Sequence, residues 1–532
     1  MRLPCDEEAV RSESSGTPCR AESRKWILAA TILGSSLAFI DSTVVNVALP
    51  ALQASFHATV VQVQWVVESY GVFSGTLILV GGSLGDLFGR RLIFLLGVAI
   101  FALASLGCGL APSTELLIIA RSIQGMGAAL LVPGSLAIIS TSFDEKSRGQ
   151  AIGTWSGFTA ITTAVGPVLG GWLVQHASWR WVFLINLPLA VAVIAISLWH
   201  VPESRSTAAG RVDWLGAIFV TLGLGGLVYG FIESVNLGWK DPLVLASLIV
   251  GCVCLILFLM AEARANSPMV PLALFASSSF SGSNLLTLLL YAALGVFFFL
   301  FPLNLIQVQK YSSTAAGAAM LPLILLIFFL SRWSGGLVTR YGARRPLIIG
   351  PLFAALGFFL FAMSSIGGSY WRAFLPAVLI LGFGIAITAA PLTTVVMNSV
   401  AQDRVGVASG INNAVARVAG VLAIAVLGIV MVRAFASRLD HSLARYSLPS
   451  SVVGEIRANE IKLAGLPVPT GLDRTMEVAI RGSIAEAFVF GFRIVMWICT
   501  GLAVASSVVA WAMISTSATV SAAGVSTAGS SQ

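Results

Sequence analysis

The sequence predicts an all-α polytopic membrane protein, and three observations lead to this prediction. Of the 532 residues, 57% are hydrophobic and 10% are charged, whereas soluble domains carry about 25% charged residues. Apolar runs of about 20 residues, enough to span a bilayer as a helix, recur along the whole chain. The runs lack the alternation over about 10 residues that is typical of barrel strands, so the spans are predicted to be helices.

Fourteen such runs can be distinguished, and an even number places both termini on the same side of the membrane. A polar segment, 433–483, separates the last two runs. The runs cover residues 26–48, 63–84, 92–111, 116–139, 151–174, 181–200, 214–233, 243–261, 280–302, 315–338, 346–363, 373–396, 406–432 and 484–512.

Basic residues in the short connecting segments indicate which side holds the termini. With the N-terminus inside, the inner segments contain sixteen Lys and Arg residues and the short outer loops contain four, namely Arg180, Lys240, Lys310 and Arg372. This excess predicts that both termini are cytoplasmic and that the protein lies in the cytoplasmic (plasma) membrane. The segment 433–483 is then an external loop, and its basic residues do not count because long loops translocate largely regardless of charge.

A short internal repeat suggests that the chain consists of two related halves. Residues 82–91 are GSLGDLFGRR and residues 335–344 are GGLVTRYGAR, and both lie at the inner end of a predicted span. Parallel repeats of this kind are typical of transporters that bind substrate near the midplane between the halves. The predicted organisation is a cytoplasmic tail (1–25), a six-helix bundle (26–200), two additional helices with linkers (201–279), a second six-helix bundle (280–512) and a C-terminal tail (513–532).

Other classes of function find no support in the sequence. The net charge of +8 comes from basic residues scattered at the ends of apolar runs, which argues against nucleic-acid binding. None of the lysines follows a glycine, so there is no phosphate-binding G-x-x-x-x-G-K-[ST] loop. No metal-ligand spacing, serine triad or cysteine framework is present. We therefore expect no enzyme activity, metal or cofactor, and uphill transport would be driven by an ion gradient.

Four stretches resemble the signature motifs of the major facilitator superfamily, specifically its fourteen-helix drug:proton antiporters of the EmrB/QacA type. They are DSTVVNVALP (41–50) in helix 1, GSLGDLFGRR (82–91) in the loop after helix 2, RSIQGMGAA (121–129) in helix 4 and GTWSGFTAITTAVGPVLGG (153–171) in helix 5. The resemblance covers nearly the whole chain and implies a major facilitator fold and proton-driven drug efflux. It departs from the family pattern at Leu87, where a basic residue is usual, at Thr162, where glycine is usual, and at Thr339, which replaces aspartate in the second loop copy.

The resemblance also assigns roles to two groups of residues. The loop motif implies an inner gate that stabilises one access state, formed by Gly82, Asp86, Gly89, Arg90 and Arg91. The helix 5 motif implies a hinge and seal between the halves, formed by Gly153, Gly157, Gly166, Pro167, Gly170 and Gly171. Small residues permit close helix approach and proline permits a kink, so tight packing alone is the alternative explanation for helix 5.

Asp41 is the first candidate for coupling, because an ionised side chain inside a bilayer costs at least about 2.5 kcal/mol. Burial favours the neutral form of a carboxyl group, which would let it load and release a proton near neutral pH. Arg121 cannot lose its proton, so it would tune a carboxylate, and a helix 1 carboxylate is the natural acceptor. The alternative is that Asp41 only pairs with a neighbouring helix.

Three further polar residues in predicted spans complete the list of candidates. Glu68 shares a helix face with Gly71 and Gly75, and it either binds a proton or cation or lies in a solvated outer vestibule. Asn413 and Arg417 lie on one stripe of helix 13. Arg417 would either neutralise a carboxylate or bind an anionic group of a substrate.

The leading hypothesis is a proton-coupled antiporter that exports amphipathic, cationic drugs or toxic compounds by alternating access. The alternatives are a dedicated exporter of one endogenous metabolite and, in a different class, a non-transporting membrane sensor or scaffold. The expected partners are small molecules, protons and lipid, with no nucleic acid. We expect a monomer, and a Gram-negative host would allow for a periplasmic adaptor and an outer-membrane channel.

The charge bias gives a topology that reporter fusions can check. A reporter fused after residue 210 should be cytoplasmic, and a reporter inserted near residue 455 should be external, because the inner segments contain most of the basic residues. Protease protection in intact cells provides an independent measurement. A cytoplasmic location of residue 455 would contradict the fourteen-span topology.

Overall fold

The computed structural model describes residues 21–143, 145–205, 212–265, 268–367, 369–400, 404–446, 448–469 and 472–515. These residues form helices and connecting turns, with no strand among them. Thirteen helices are long and apolar enough to cross a membrane, and the count is fourteen when one bent pair is taken as a single span. The predicted fold class and span number are confirmed.

We number the spans α1 to α14 in chain order, and several of them consist of two segments. Their bounds are α1 Ala21–Phe56, α2 Val60–Thr76 with Ile78–Phe88, α3 Arg90–Leu110, α4 Thr114–Ser142, α5 Glu145–His176, α6 Trp181–Leu184 with Asn186–His200, α7 Trp214–Glu233, α8 Pro242–Arg264, α9 Ser278–Leu303 with a π-helical end Asn304–Val308, α10 Ser313–Ala318 with Leu321–Tyr341, α11 Arg344–Ala362, α12 Tyr370–Ala373 with Leu375–Asn398, α13 Val405–Leu443 and α14 Arg474–Met513.

Contacts between helices group the spans into two bundles and a central pair. Helices α1 to α6 pack on one another, and α9 to α14 do the same. Helices α7 and α8 pack mainly on each other, and α7 also contacts α2 and α13. Leu243, Ile249 and Ile256 on α8 are more than half exposed, as expected for a helix that faces lipid on most sides.

The segment between α13 and α14 is shorter than the sequence indicates, because α13 continues to Leu443 and α14 begins at Arg474. Between them lie a short helix, Ser450–Ala458, and a 3-10 turn, Glu460–Gly465. The turn lies on the end of α1, where Gln53 Nε2 donates to the carbonyl of Lys462 at 3.0 Å. The loop therefore contacts the N-terminal bundle although it connects helices of the C-terminal one.

The internal repeat is visible in the backbone as well as in the sequence. Gly89 ends α2 with φ = +123° and Gly342 ends α10 with φ = +75°, and the next helix begins at Arg90 and Arg344 respectively. Both spans are also interrupted: α2 bends by 46° between its two segments, and α10 is broken after Ala318. The matching glycine ends support the internal repeat, whereas the two breaks lie at different distances from those glycines.

One end of the molecule, which we call the basic end, contains Arg90, Arg91, Arg340, Arg344 and Arg345. The charge bias predicts that this end is cytoplasmic. The other end, which contains the turn Glu460–Gly465, is called the opposite end.

The two bundles approach each other most closely in the half toward the opposite end. On α5 and α10, Gly171 faces the carbonyl of Ser313 and Gly317 faces that of Pro167, so closely that a Cβ on either glycine would overlap the carbonyl. Toward the basic end, Gly153 of the same α5 has no atom within 4 Å of the position of a Cβ. The bundles therefore meet near the opposite end and separate along α5 toward the basic end.

A second contact between the bundles, which we call the seam, is formed by α2 and α13. Gln64 Nε2 donates to the carbonyl of Ile424 at 3.4 Å, and a Cβ on Gly71 would lie 2.6 Å from Val421 Cγ2. One further turn along α2, a Cβ on Gly75 would lie 3.3 Å from Arg417 Cβ. Small residues on α2 thus permit a contact that larger ones would prevent.

Gly89 is a position where the fold requires glycine for two reasons. Its φ of +123° is strained for any residue with a Cβ, and a Cβ there would lie 2.7 Å from the carboxylate of Glu203. We expect Gly89→Ala to destabilise the protein by about 1–3 kcal/mol, measured as a lower melting temperature in detergent.

The matched control is Gly454→Ala, because Gly454 is helical and has no atom within 4 Å of a Cβ. That variant should be neutral or more stable, since alanine favours helix by up to about 1 kcal/mol. Equal melting temperatures for both variants would show that the Gly89 backbone relaxes without cost.

Candidate functional site

The centre of the N-terminal bundle contains an ion pair between Asp41 on α1 and Arg121 on α4. Arg121 Nη1 donates to Asp41 Oδ2, and the two side chains are 1% and 0% exposed. A carboxylate on α1 was the acceptor expected for Arg121, and this pairing is observed. Because the charges neutralise each other, both residues can lie in an apolar bundle without a net buried charge.

Polar groups from three helices extend the pair into a hydrogen-bond network, in which Gln124 bonds to both members of the pair. Gln124 Nε2 donates to Asp41 Oδ1 at 2.9 Å, and Gln124 Oε1 accepts from Arg121 Nη1 at 2.7 Å. Gln124 Nε2 also lies 3.2 Å from Ser105 Oγ, which in turn accepts from Asn186 Nδ2 at 3.0 Å. Sequence analysis identified Gln124 only as a neighbour of Arg121 and missed Ser105 and Asn186, since serine and asparagine occur in many helices without such a role.

Arg121 also connects the ion pair to α2. Its Nε donates to the carbonyl of Val66 at 3.0 Å, and its guanidinium carbon lies 4.3 Å from the centre of the Tyr70 ring. Both residues belong to the segment of α2 whose other face forms the seam with α13. A change in the charge of Asp41 would therefore act on the helix that joins the two bundles.

Glu68 lies on the seam side of α2 and has a different environment. The residue is 0% exposed, and neither carboxylate oxygen has a hydrogen-bond partner among the described residues. The vestibule alternative is wrong for this conformation, because Glu68 is not solvated. Sequence analysis had correctly placed Glu68 on a face of small residues with Gly71 and Gly75.

The two candidates on α13 lie near the same contact. Arg417 Nη1 donates to Ser74 Oγ on α2 at 3.2 Å, so this guanidinium bridges the bundles. Asn413 is exposed, and its Nδ2 donates to the carbonyl of Ser409 on its own helix. Among the described residues, the hydrogen-bond partner of this guanidinium is a hydroxyl and not a carboxylate, and binding of an anionic substrate group stays a prediction.

The loop motif forms a compact structure at the basic end. Arg90 Nε and Asp86 Oδ1 form a hydrogen bond of 2.8 Å, and Arg91 Nη1 donates to the carbonyl of Val201 at 2.9 Å. Glu203 accepts from the backbone nitrogens of Arg91 and Leu92, both at 3.1 Å, and so caps the start of α3. Glu203 was missed, although a carboxylate at a helix N-terminus is a common stabilising contact.

Gly82 lies at the edge of this structure, where a Cβ would make an ordinary contact of 3.8 Å with Pro133. Among the described residues, the ion pair of Asp86 joins two parts of the loop motif and not the two bundles. The gating role of this motif therefore stays a prediction.

The helix 5 motif divides into three parts in the structure. Gly166 and Gly170 face Thr43 and Val44 on α1, inside the N-terminal bundle. Pro167 and Gly171 face α10, across the contact between the bundles. A Cβ added to Gly153 or Gly157 would have no atom of the described residues within 4 Å. The small residues of the motif therefore extend beyond the region where close packing requires them. The hinge function stays a prediction.

A family model described as Major Facilitator Superfamily matches residues 31–424. The chain belongs to this superfamily. Its members are transporters, so the chain is a multi-pass membrane transporter. The match includes the α1, α2, α4 and α5 motifs together with Asp41, Glu68 and Arg121.

Two curated relatives are similar over nearly the full length. The multidrug resistance protein Stp of Mycobacterium tuberculosis is 34% identical over 485 residues, covering 89% of each chain. The tetracenomycin C resistance and export protein of Streptomyces glaucescens is 32% identical, covering 92% of this chain and 91% of its own. These relatives are resistance and export proteins.

A solved structure shares the fold at low sequence identity. It is the crystal structure of a bacterial homologue of the human lysosomal transporter Spinster, in an inward-facing, unoccupied conformation. The TM-score is 0.62 at 17% identity, covering 92% of this chain and 98% of the other. The likeness confirms the fold.

The ion pair makes a prediction about stability that a double-mutant cycle can check. Asp41→Asn leaves Arg121 buried without a counter-charge, and we expect the free energy of unfolding to fall by about 3–5 kcal/mol. The double variant Asp41→Asn/Arg121→Gln contains neither charge and should be more stable than Asp41→Asn alone. Thermal unfolding in detergent gives the comparison.

The exposed pair Asp440–Arg457 is the matched control, with side chains 44% and 59% exposed. The same cycle there should give a coupling energy of only about 0–1 kcal/mol. Additive losses at Asp41 and Arg121 would mean that the two residues do not interact energetically.

Proposed function

We propose that this protein is a proton-coupled antiporter that exports amphipathic, cationic drugs or toxic compounds across the cytoplasmic membrane by alternating access. The observation that carries the proposal is the buried Asp41–Arg121 pair, in which a titratable group meets a fixed charge inside the N-terminal bundle. The names of the relatives, which refer to multidrug resistance and drug export, support the substrate class.

In the proposed mechanism, a proton on Asp41 competes with Arg121 for the carboxylate. Protonation removes the negative charge, and Arg121 then loses its charged partner but keeps its contacts with Val66 and Tyr70 on α2. The guanidinium must find a new arrangement, because an unpaired buried charge is costly. Since α2 also forms the seam, protonation of Asp41 would favour one relative position of the two bundles over the other.

Substrate and proton need not touch the same atoms for exchange to occur. Asp41 is 0% exposed in this conformation, so a cationic substrate does not contact it directly here. Exchange requires only that the ionised and protonated forms favour different access states, and that substrate binds one state better than the other. The membrane potential supplies about 2.3 kcal/mol per charge per 100 mV, which corresponds to roughly a fiftyfold gradient.

The observed arrangement corresponds to an inward-facing state if the basic end is cytoplasmic. The bundles meet toward the opposite end through α5 and α10. Near the basic end, a Cβ added to Gly153 or Gly157 would have no atom of the described residues within 4 Å. The Spinster homologue with a similar fold is described as inward-facing. We propose that this conformation accepts substrate from the cytoplasm.

Export of a single endogenous metabolite is the alternative that keeps the same mechanism. Membership of a transporter family leaves a non-transporting sensor or scaffold without support. Susceptibility to a panel of unrelated toxic compounds, measured with and without the gene, separates broad from dedicated export.

We further propose that the protein works as a monomer in the plasma membrane. An adaptor and an outer-membrane channel would be needed only in a Gram-negative host.

The proton-coupling role of Asp41 can be measured directly. Asp41→Asn keeps the shape and hydrogen bonding of the side chain but cannot titrate, so it should abolish drug-induced proton exchange in inverted vesicles. Asp41→Glu should retain part of the activity, because it keeps a carboxyl group. Membrane levels of each variant are the control for insertion. Proton exchange by Asp41→Asn at the wild-type rate would make Asp41 a structural residue.

A further inference from the structure

Glu68 is a buried carboxyl group that the mechanism above does not use. Gln64, Glu68, Gly71 and Gly75 recur every three or four residues on α2 and therefore share one face of the helix. Gln64, Gly71 and Gly75 are in contact with α13, at Ile424, Val421 and Arg417 respectively. Glu68 is thus enclosed within the seam, between two points where the bundles touch.

Charged and titratable groups on every element packed against α2 are directed elsewhere. Arg121 of α4 binds Asp41 of α1, Arg417 of α13 donates to Ser74, and Glu233 of α7 accepts from Trp65 Nε1 at 2.8 Å. The remaining groups on these elements near this half of α2 are Glu115 on α4, Tyr229 on α7, and Glu460 and Lys462 in the external turn. None of them forms a hydrogen bond with Glu68, whose two oxygens are without a partner in the described chain.

An ionised carboxylate without a partner is very costly in such a site, so Glu68 is neutral while the seam is closed. When α2 and α13 part toward the opposite end, water reaches the carboxyl group and the ionised form becomes favourable. Closing the seam therefore takes up a proton, and opening it releases one.

We propose that Glu68 is a second proton-binding site, which makes closure of the seam dependent on the pH at the opposite end. The proton enters and leaves on the same side, so Glu68 sets the balance between access states without carrying protons across the membrane. This role is distinct from that of Asp41. The proposal rests on the alternating-access function proposed above, but its test does not require transport.

The sign of the pH dependence follows from the two states. The open seam binds fewer protons than the closed seam, so raising the pH favours opening. Between the pH at which the hydrated carboxyl group ionises and the pH at which the enclosed one would ionise, each pH unit should raise the open-to-closed ratio by up to about tenfold.

The measurement is the labelling of Val421→Cys by a membrane-impermeant maleimide added on the side of the opposite end. Val421 is 8% exposed and contacts Gly71, so labelling reports parting of the seam. The background lacks the six native cysteines, and Gly454→Cys, which is exposed, corrects for the pH dependence of maleimide chemistry. With Glu68 present, the corrected labelling rate should rise from about pH 5.5 to about pH 8.

Three variants in the same background separate the explanations. Glu68→Gln cannot ionise and should label slowly at every pH, whereas Glu68→Asp should keep the rise. Glu233→Gln removes a neighbouring carboxylate on α7 and should also keep it. Asp41→Asn removes any contribution of Asp41 to the position of the seam, so the part of the rise that depends on Glu68 should remain in Asp41→Asn and be lost in Asp41→Asn/Glu68→Gln. A failure of proton-coupled export at Asp41 is therefore distinguishable from a failure at Glu68.

Two results would overturn the proposal. The first is a corrected labelling rate that does not change with pH when Glu68 is present, a result that does not depend on whether any Glu68 variant folds. The second is a rise of equal steepness in Glu68→Gln, which would assign the titration to another group.

Discussion

The cost of placing charge in an apolar interior is the constraint on which the rest of this structure depends. Asp41 and Arg121 are tolerated because each neutralises the other and because Gln124, Ser105 and Asn186 supply hydrogen bonds around them. The network draws on α1, α3, α4 and α6, so it fixes the relative positions of four helices in one bundle. A proton-coupled transporter needs a buried titratable group of this kind. Protonation of a carboxylate in water breaks no contact within the protein, so it would not change the conformation.

Close approach of helices is the second requirement, and small residues meet it where the bundles touch. Gly171 and Gly317 bring α5 and α10 together, and Gly71 and Gly75 bring α2 to α13. These contacts contain few charged groups, so few strong polar interactions must break when the bundles separate. Strong polar contacts lie inside the N-terminal bundle, whereas weaker contacts lie between the bundles. This distribution lets each bundle move as a unit.

The sequence alone was sufficient to predict the helices and one long-range ion pair, between Asp41 and Arg121. Spans are defined by local composition. Asp41 and Arg121 stand out because charged side chains are among the most costly to place in a lipid bilayer. The contacts of Glu203 and Gln124 could not be predicted, since they depend on which helix ends and faces meet in three dimensions. The extension of α13 to Leu443 was missed because its last turns contain Arg438, Asp440 and His441, which are polar but still helical. The closed state of the seam could not be predicted either, because one sequence must support at least two arrangements.

The break in α2 has a mechanical consequence. The 46° bend at Leu77 separates the segment that carries Gly71 and Gly75 from the segment that leads to Gly89 and the loop beyond it, and both segments contact α13. A straight helix would tilt as one rigid body. Any tilt that closed one end of the transport pathway would then open the other end in the same step. Two segments with a joint can tilt in sequence, so both ends can be shut at one moment. In the proposed proton-coupled cycle, such a shut intermediate would prevent a leak of ions that dissipates the gradient.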